Sequence, residues 1–198
     1  MIKVSAILLA AGRSGRMGGP NKLLMPVDDQ PMVRRAFDQL STAGFSEIIV
    51  VTGRDQAEVA ALLPGDGSYT LVHNARFAEG MTTSIQKGVE AAHSQAYMIC
   101  LADMPLLNSS HYEHLLKSYG AAYKTDTSSI LLPIVNTKRG NPVIFSGQYR
   151  QQILAHQDMT GCRAIVQQNK QHLVLFESAD KAYLTDIDTP EDYQALKP

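Results

Sequence analysis

Aliphatic runs alternate along this chain with segments whose apolar residues recur at helical spacing. Val4–Ala10 is almost continuously aliphatic, which is typical of a parallel strand covered on both faces. Pro31–Ala43 then places Met32, Phe37 and similar residues at helical spacing, and Gly44 follows as a C-terminal cap. The start of the chain therefore predicts a buried strand, a long loop and a helix.

The same alternation continues to the end of the chain. Further strands are predicted at Glu47–Thr52, Tyr69–His73, Ala96–Ala102, Ser129–Val135, Pro142–Phe145 and His172–Phe176. Further helices are predicted at Gln56–Leu63, Thr82–His93, Ser109–Tyr123, Gln148–Ala155, Thr160–Gln168 and Pro190–Leu196, the last with Thr189 as N-cap. Strands that alternate with helices predict an α/β fold, a mostly parallel sheet with helices on both faces.

In such a sheet, ligands bind beyond the carboxyl ends of the strands. This rule selects the loops after Ala10, after Thr52 and after Leu101. The first of these loops contains the glycine-rich segment, and the third contains Asp103.

Length and composition are ordinary. The 198 residues suit a single domain, residues 1–198, and 44% are hydrophobic and 19% charged. No apolar run approaches a membrane span, and the first one leads straight into Gly12–Arg13, so we expect neither a membrane segment nor an export signal. The cytoplasm is the expected location. Cys100 and Cys162 are too few for a disulfide framework.

The charge balance is neutral overall but uneven along the chain. A formal net charge of -1 does not favour nucleic acid as a partner. The first 35 residues, however, contain only Asp28 and Asp29 as acids against these basic residues: Lys3, Arg13, Arg16, Lys22, Arg34 and Arg35. Positive charge close to a glycine-rich segment suits a small polyanion.

The loop from Ala10 to Lys22 is the strongest candidate site. Glycines at 12, 15, 18 and 19 let the backbone approach a ligand closely, while Arg16 and Lys22 supply permanent positive charge. Pro20-Asn21-Lys22 departs from the Gly-Lys-Ser/Thr of a phosphate loop, and the glycine spacing departs from the dinucleotide fingerprint. A solvated flexible turn is the alternative, but the pattern favours phosphate binding.

Asp103 is a candidate metal ligand, and Asp188 belongs to a second acidic cluster near the end of the chain. Asp103 lies in Leu-Ala-Asp-Met-Pro at the end of a buried strand, where a hard carboxylate suits Mg²⁺, although it also suits a turn cap. Asp188 precedes Thr-Pro-Glu-Asp, a good helix start, and shares a strand face with Asp186.

The loop Leu-Ala-Ala-Gly-x-x-x-Arg-Met-Gly-x-x-Asn-Lys resembles the signature of MobA-like nucleotidyltransferases, and most of all the molybdenum cofactor cytidylyltransferases. The resemblance implies a Rossmann-like fold of the nucleotide-diphospho-sugar transferase type and a Mg²⁺ cofactor held by Asp103 and Asp188, with Asp186 a weaker candidate. It implies catalytic roles for Arg16, Lys22 and Asp103. The implied nucleotide-binding residues are Leu9, Ala10, Ala11, Gly12, Gly15, Arg16, Lys22, Asn74, Thr83, Ser84 and Asp103.

The later motifs extend the same resemblance. Glu-Gly-Met-Thr-Thr-Ser at 79–84 is similar to the family's nucleobase-pocket segment, although Thr82 or Thr83 also suits a helix N-cap. Lys-Arg-Gly-Asn-Pro at 138–142 resembles an acceptor-side segment in which Asn141 replaces the usual His. The implied acceptor-binding residues are Gly140, Asn141, Pro142 and Arg163.

The resemblance implies transfer of CMP from CTP to a phosphorylated acceptor, molybdopterin or molybdenum cofactor, with release of pyrophosphate. Ala10-Ala11 resembles the cytidine-using branch, since the guanosine-using branch usually has Ala-Gly. A molybdoenzyme or its chaperone is the implied protein partner. Two alternatives stay open: a GTP-using or sugar-phosphate nucleotidyltransferase of the same fold, and a non-catalytic nucleotide-binding regulatory module.

Overall fold

The computed structural model describes residues 2–19 and 21–196, so Pro20 of the glycine-rich loop and both chain ends lie outside the described residues. The strands are β1 Val4–Ala10, β2 Pro26–Val27, β3 Gln30–Pro31, β4 Glu47–Thr52, β5 Thr70–His73, β6 Ala96–Leu101, β7 Ile130–Val135, β8 Lys138–Arg139, β9 Val143–Ser146 and β10 Leu173–Glu177. The helices are α1 Met32–Ser41, α2 Gln56–Ala61, α3 Met81–Ala91, α4 Ser109–Thr125, α5 Arg150–Leu154, α6 Arg163–Gln168 and α7 Pro190–Ala195.

The main sheet has the strand order β10-β7-β9-β6-β1-β4-β5, with short β8 added beside β7. The pairs of β1 with β4 and β6, of β4 with β5, and of β10 with β7 are parallel. Strand β9 runs antiparallel to both of its neighbours. The predicted mostly parallel α/β sheet is confirmed.

Helices cover both faces of the sheet, and each face has its own hydrophobic core. Successive side chains of β1 point alternately into these two cores. Leu8 packs in the core that contains Phe37 of α1 and Leu115 of α4. Ile7 points the other way, into the core that contains Ile85 of α3. All of these side chains are almost fully buried, which is the arrangement expected of a strand with no polar face.

Two predicted helix starts were wrong. Helix α6 begins at Arg163 rather than Thr160, since Gly161 has φ +93° and Thr160 bonds back to Asp158 in a turn. Helix α3 begins at Met81 with Gly80 as its N-cap residue, and neither Thr82 nor Thr83 caps it. Their hydroxyls bond instead to carbonyl groups elsewhere in the fold.

The start of α7 agrees with the sequence. Thr189 caps the helix by accepting from the Asp192 backbone N–H at 3.2 Å, and the Asp192 carboxylate accepts from the Thr189 N–H at 2.8 Å. This capping box fixes the residues just before the helix, including Asp188. None of the described helices is long and apolar enough to cross a membrane.

Candidate active site

The candidate site lies at the carboxyl ends of β1 and β6, where the glycine-rich loop and Asp103 emerge. The segment before α7 is joined to this edge by a hydrogen bond from the Ile187 N–H to the Asp103 carbonyl oxygen, 2.9 Å long. Because of this bond, Asp188 lies on the same side of the sheet as Asp103. The location follows the rule for ligands in open parallel sheets.

Lys22 joins the two carboxylates. Its Nζ is 2.6 Å from Oδ2 of Asp103 and 2.9 Å from Oδ1 of Asp188. Arg16 reaches the other oxygen of Asp188, with Nη2 to Oδ2 at 2.7 Å. Three stretches far apart in sequence therefore converge on one charged cluster.

The cluster contains buried and exposed members. The Lys22 side chain is only 8% exposed and that of Arg16 is 71% exposed. Burial lowers the pKa of Lys22, but the charge and hydrogen bond of Asp103, together with Asp188, outweigh it and hold the pKa above its ordinary value. Lys22 is therefore a permanent cation at neutral pH.

Asp188 and Asp186 are shifted in opposite directions. Burial raises the pKa of Asp188, but the hydrogen bond and charge of Lys22, with the charge of Arg16, outweigh it and leave the pKa below its ordinary value. Partial burial raises the pKa of Asp186, and the nearby charges of Asp188 and Asp103 act in the same direction. Asp188 is thus held ionised, while Asp186 gains a proton more easily than Asp188 does.

The glycine-rich loop is anchored at its far end rather than at its glycines. Asn21 is 2% exposed. Its side-chain Nδ2 donates to Oδ2 of Asp55 at 3.1 Å, and its side-chain Oδ1 accepts from the Leu23 N–H at 3.1 Å. Ser14 accepts from the Lys22 N–H at 3.1 Å. A Cβ added at any of the four loop glycines meets nothing within 4 Å, so the loop faces open space. The anchors hold Lys22 in place and leave the glycine backbone free to meet a ligand.

A cavity of about 430 Å³ opens in front of this loop. Seven of the predicted site residues line it: Leu9, Ala11, Gly12, Arg16, Ser84, Asp103 and Asp188. Ala10 is buried in the sheet, Gly15 lies on the exposed loop outside the cavity lining, and Lys22 reaches the cluster from below the surface. The cavity therefore brings Gly12 and Arg16 of the loop together with Asp103, Asp186 and Asp188.

Asn74 and Thr83 lie behind the cavity lining. The buried Asn74 amide donates to Oγ1 of Thr83 and Oγ of Ser84, both at 2.9 Å. Thr83 directs its hydroxyl to the Gly80 carbonyl oxygen at 2.9 Å. Asn74 thereby fixes the orientation of Ser84, the member of this group that reaches the cavity.

Gly80 is required at the start of α3. Its φ is +140°, and an added Cβ would lie 2.5 Å from the Met159 carbonyl oxygen. The helix consequently begins right at the cavity, with Gly80 and Met81 in its wall.

A second cavity of about 630 Å³ adjoins the first, and Met81 and Leu101 line both. Its lining includes Gly140, Asn141 and Arg163 of the predicted acceptor residues. Pro142 is not in the lining; it lies beside it at a cis Asn141–Pro142 bond. The described residues that line this cavity include no acid.

Sequence reasoning assigned no role to several residues of the two cavities. Arg13, Phe77 and Met81 line the smaller one, and Lys138 and Arg139 the larger. Lys138, Arg139 and Met81 lay within segments that resemble the family's, although none of the three was singled out, and Arg13 was visible as a charge in the glycine-rich loop. Phe77 carried no signal, because an apolar residue near a helix start looks like core.

Asp103 and Asp188 offer oxygen ligands for a divalent cation, but they do not form a complete coordination shell. Oδ1 of Asp103 is buried and has no hydrogen-bond partner among the described residues. Within those residues, no group of three or more His, Cys, Asp and Glu side chains is arranged to hold a metal ion. Mg²⁺ and similar ions commonly bind through one or two carboxylates plus substrate phosphates. Asp103 and Asp188 fit that incomplete donor set.

Comparison with known families supplies the decisive observation. The family described as MobA-like NTP transferase domain matches residues 6–173, which include the glycine-rich loop, Asp103, the second cavity's Gly140–Asn141 and Arg163. The chain belongs to this family.

Individual relatives of the MobA-like chain carry different names. Molybdenum cofactor cytidylyltransferase of Escherichia coli (strain K12) is 27% identical over 199 residues, covering 100% of this chain and 97% of the relative. Nicotine blue oxidoreductase of Paenarthrobacter nicotinovorans is 28% identical over 197 residues, covering 98% and 96%. Overall similarity to these two relatives does not by itself choose between their activities.

Solved structures confirm the expected nucleotidyltransferase fold. Rv0371c of Mycobacterium tuberculosis H37Rv superposes with a TM-score of 0.84 at 22% identity, covering 98% of this chain and 97% of that one. A complex of the same protein with manganese superposes with a TM-score of 0.74 at 20% identity, covering 98% and 97%.

Proposed function

We propose that this MobA-like protein transfers a nucleotidyl group, CMP from CTP, to the phosphate of a small acceptor and releases pyrophosphate. The observation that carries the proposal is the Lys22 ammonium between Asp103 and Asp188, with Arg16 beside it, under a glycine-rich loop. Such a cluster suits the phosphates of a donor and the charge that develops as pyrophosphate leaves.

The reaction is an in-line substitution at the α-phosphorus. An acceptor phosphate oxygen forms the new P–O bond, and the bond from the α-phosphorus to the bridging oxygen breaks. Positioning and charge neutralisation supply most of the catalysis in such transfers. Lys22 and Arg16 hold the departing pyrophosphate, and the backbone of the glycine-rich loop is open to the phosphates. Asp103 and Asp188 would hold a divalent cation, Mg²⁺ in this proposal, which would supply neutralisation of the phosphate oxygens and of the developing charge.

The larger cavity is assigned to the acceptor. Lys138, Arg139 and Arg163 line it, and none of the three forms an ion pair with another described residue. The charge of Arg163 acts on Asp158 from beyond ion-pair distance, so the three cations are available to an anionic ligand. Apolar residues such as Leu132 and Phe145 form other parts of the lining, which suits an acceptor with an apolar body. The proposed acceptor is molybdopterin or molybdenum cofactor, and the name of the Escherichia coli relative, molybdenum cofactor cytidylyltransferase, supports this choice.

A donor and acceptor panel tests the proposal. Purified protein is given each of the four ribonucleoside triphosphates with molybdopterin or a sugar 1-phosphate, and pyrophosphate is measured together with the mass of the product. We expect release with CTP and molybdopterin. Release with GTP or with the sugar phosphate would select the alternative transferases. Triphosphate binding without any product would select a regulatory module.

The similarity to nicotine blue oxidoreductase does not change the proposed reaction. The charged cluster of Lys22, Asp103 and Asp188 explains phosphate chemistry directly, whereas hydride transfer would require none of these three groups. Oxidation of a reduced nicotinamide cofactor by the protein, without pyrophosphate release, would favour that relative's activity instead.

A further inference from the structure

The Lys22 ammonium occupies the gap between the two carboxylates proposed for the metal. Its contacts of 2.6 Å to Asp103 and 2.9 Å to Asp188 are charge-assisted hydrogen bonds, and its side chain is nearly buried. It is held there by the anchors of the loop, since Ser14 accepts the Lys22 backbone N–H and Asn21 is buried beside it.

A divalent cation and this ammonium cannot share the gap. A divalent cation that joins the two aspartates needs an oxygen of Asp188, and one of these oxygens already contacts Lys22. Two like charges at contact distance repel strongly at a partly buried site. Arg16 adds a second cation on the remaining oxygen of Asp188. The unpartnered Oδ1 of Asp103 is the carboxylate oxygen of this pair that no described cation engages.

We propose that Lys22 closes the metal position of the nucleotide-free protein, and that the donor's phosphates open it by drawing the ammonium away from the carboxylates. The proposal rests on the proposed function only in that the ligand is a nucleoside triphosphate. Lys22 then has two successive partners, first the aspartates and then phosphate oxygens, and its charge stays satisfied in both positions.

The consequence is a coupling between metal and nucleotide. Metal alone binds weakly, because it must displace a buried cation that has no other acceptor. Nucleotide supplies that acceptor, so each ligand raises the affinity for the other by the same factor. The incomplete donor set of two carboxylates acts in the same direction, since phosphate oxygens complete the coordination.

The test is a Mn²⁺ titration of the 198-residue chain without nucleotide. The electron paramagnetic resonance signal of free Mn²⁺ measures how much of the ion remains unbound. Lys22→Met keeps the length of the side chain and removes its charge. We expect Lys22→Met to bind Mn²⁺ at least ~10-fold more tightly than the unaltered protein, within the usual range of coupling between ligands. Lys170→Met, which removes an exposed lysine, is the matched control and should leave the affinity unchanged.

A double variant, Lys22→Met with Asp103→Asn, tests whether Mn²⁺ binds at the aspartates. We expect it to lose the increase in Mn²⁺ affinity seen with Lys22→Met alone. Mn²⁺ should also raise the Tm of Lys22→Met, in which the two carboxylates face each other without the Lys22 charge between them, and leave the Tm of the unaltered protein almost unchanged. Equal Mn²⁺ affinity for the unaltered protein and Lys22→Met would overturn the proposal.

A second measurement does not depend on the folding of any variant. Tripolyphosphate, added to the unaltered protein without metal, should shift the ¹⁵N resonance of the Lys22 ammonium, and an unmoved resonance at saturation would also overturn the proposal. Neither measurement involves turnover. A failed donor and acceptor panel would therefore refute the proposed reaction while the role of Lys22 could still be judged.

Discussion

Asp103 and Glu47 are carboxylates at opposite ends of the sheet strands, and their hydrogen bonds and ion pairs differ. Asp103 lies beyond the carboxyl end of β6, contacts a cation and keeps one buried oxygen without a partner among the described residues. Glu47 lies at the amino end of β4, where one oxygen accepts from Ser5, His93 and Ser94 at 2.6, 2.8 and 2.9 Å. We therefore expect Asp103 to affect activity and Glu47 to affect stability.

Replacing Asp103 by Ala should lower turnover at least ~100-fold and leave the fold intact, because one key electrostatic group is lost from the reaction. Pyrophosphate release measures the turnover, and circular dichroism measures the fold. Glu191→Ala, an exposed acid at the start of α7, is the control. Near-normal turnover of Asp103→Ala would refute the assignment.

Replacing Glu47 by Gln should reduce the free energy of unfolding by about 1 kcal/mol at pH 7 and leave kcat unchanged. Burial raises the pKa of Glu47, but its hydrogen bonds outweigh this and leave the pKa below the ordinary 4.5. A lowered acid pKa contributes stability above the ordinary value and loses it as pH falls through the folded-state pKa. Urea unfolding from pH 7 to pH 3 should show the two proteins converging, and a constant gap would contradict this.

At the scale of elements, α3 connects the sheet to both cavities. Its first turn lines the smaller cavity, and Met81 reaches the larger one as well. Gln86, one turn further on, donates to the carbonyl oxygens of Ile153, Leu154 and His156. Gly88 lets the middle of the helix lie directly on β1, since an added Cβ would be 2.2 Å from a methyl group of Ile7. Close packing at Gly88 therefore positions the helix start at the cavity.

Two helical glycines should respond to Ala in opposite directions. Ala favours a helix over Gly by about 1 kcal/mol, but overpacking a core costs about 1–3 kcal/mol. Gly88→Ala should therefore be destabilising by roughly 1–2 kcal/mol at the contact with Ile7. Gly120→Ala in α4 should be stabilising by up to about 1 kcal/mol, because its Cβ meets only Ile2, at 3.9 Å. Urea unfolding of both variants is the measurement, and equal signs would contradict the packing argument.

At the scale of the whole molecule, two adjoining cavities carry different charge. The smaller one combines Arg13 and Arg16 with three aspartates, whereas the larger one is lined by Lys138, Arg139 and Arg163 and by no acid among the described residues. Met81 and Leu101 are shared between them. This arrangement suits a metal-bound donor on one side and an anionic acceptor on the other, meeting at the shared wall.

Arg163→Met should therefore separate the two substrates kinetically. We expect the acceptor KM to rise about 10- to 100-fold, the loss of one charge-assisted hydrogen bond, with the donor KM unchanged. Initial rates with the acceptor that supports pyrophosphate release provide both constants, and Lys170→Met is again the exposed control. A parallel rise in both KM values would assign Arg163 a structural role instead.

Local patterns in the sequence predicted seven strands, most of the helices and the positions of the chemically unusual loops, but not the two-residue strands β2, β3 and β8. Strand β1 was predicted with its observed bounds because a buried parallel strand is apolar on both faces, which is a local pattern. The glycine-rich loop and Asp103 were found for a similar reason, since each directly follows a recognisable strand. Thr189 was identified as an N-cap because capping depends on neighbouring residues only.

Which of these groups contact one another depends on the folded arrangement of the strands and is not evident from the sequence. Lys22 contacts partners 81 and 166 residues away, and those contacts depend on the order of the strands in the sheet, which no local pattern encodes. The hydroxyl of Thr82, expected at a helix cap, bonds to the carbonyl group of Asp158, 76 residues away, which the folded chain brings within reach. Local patterns determine elements, whereas hydrogen bonds and ion pairs form wherever packing places a partner within about 3 Å.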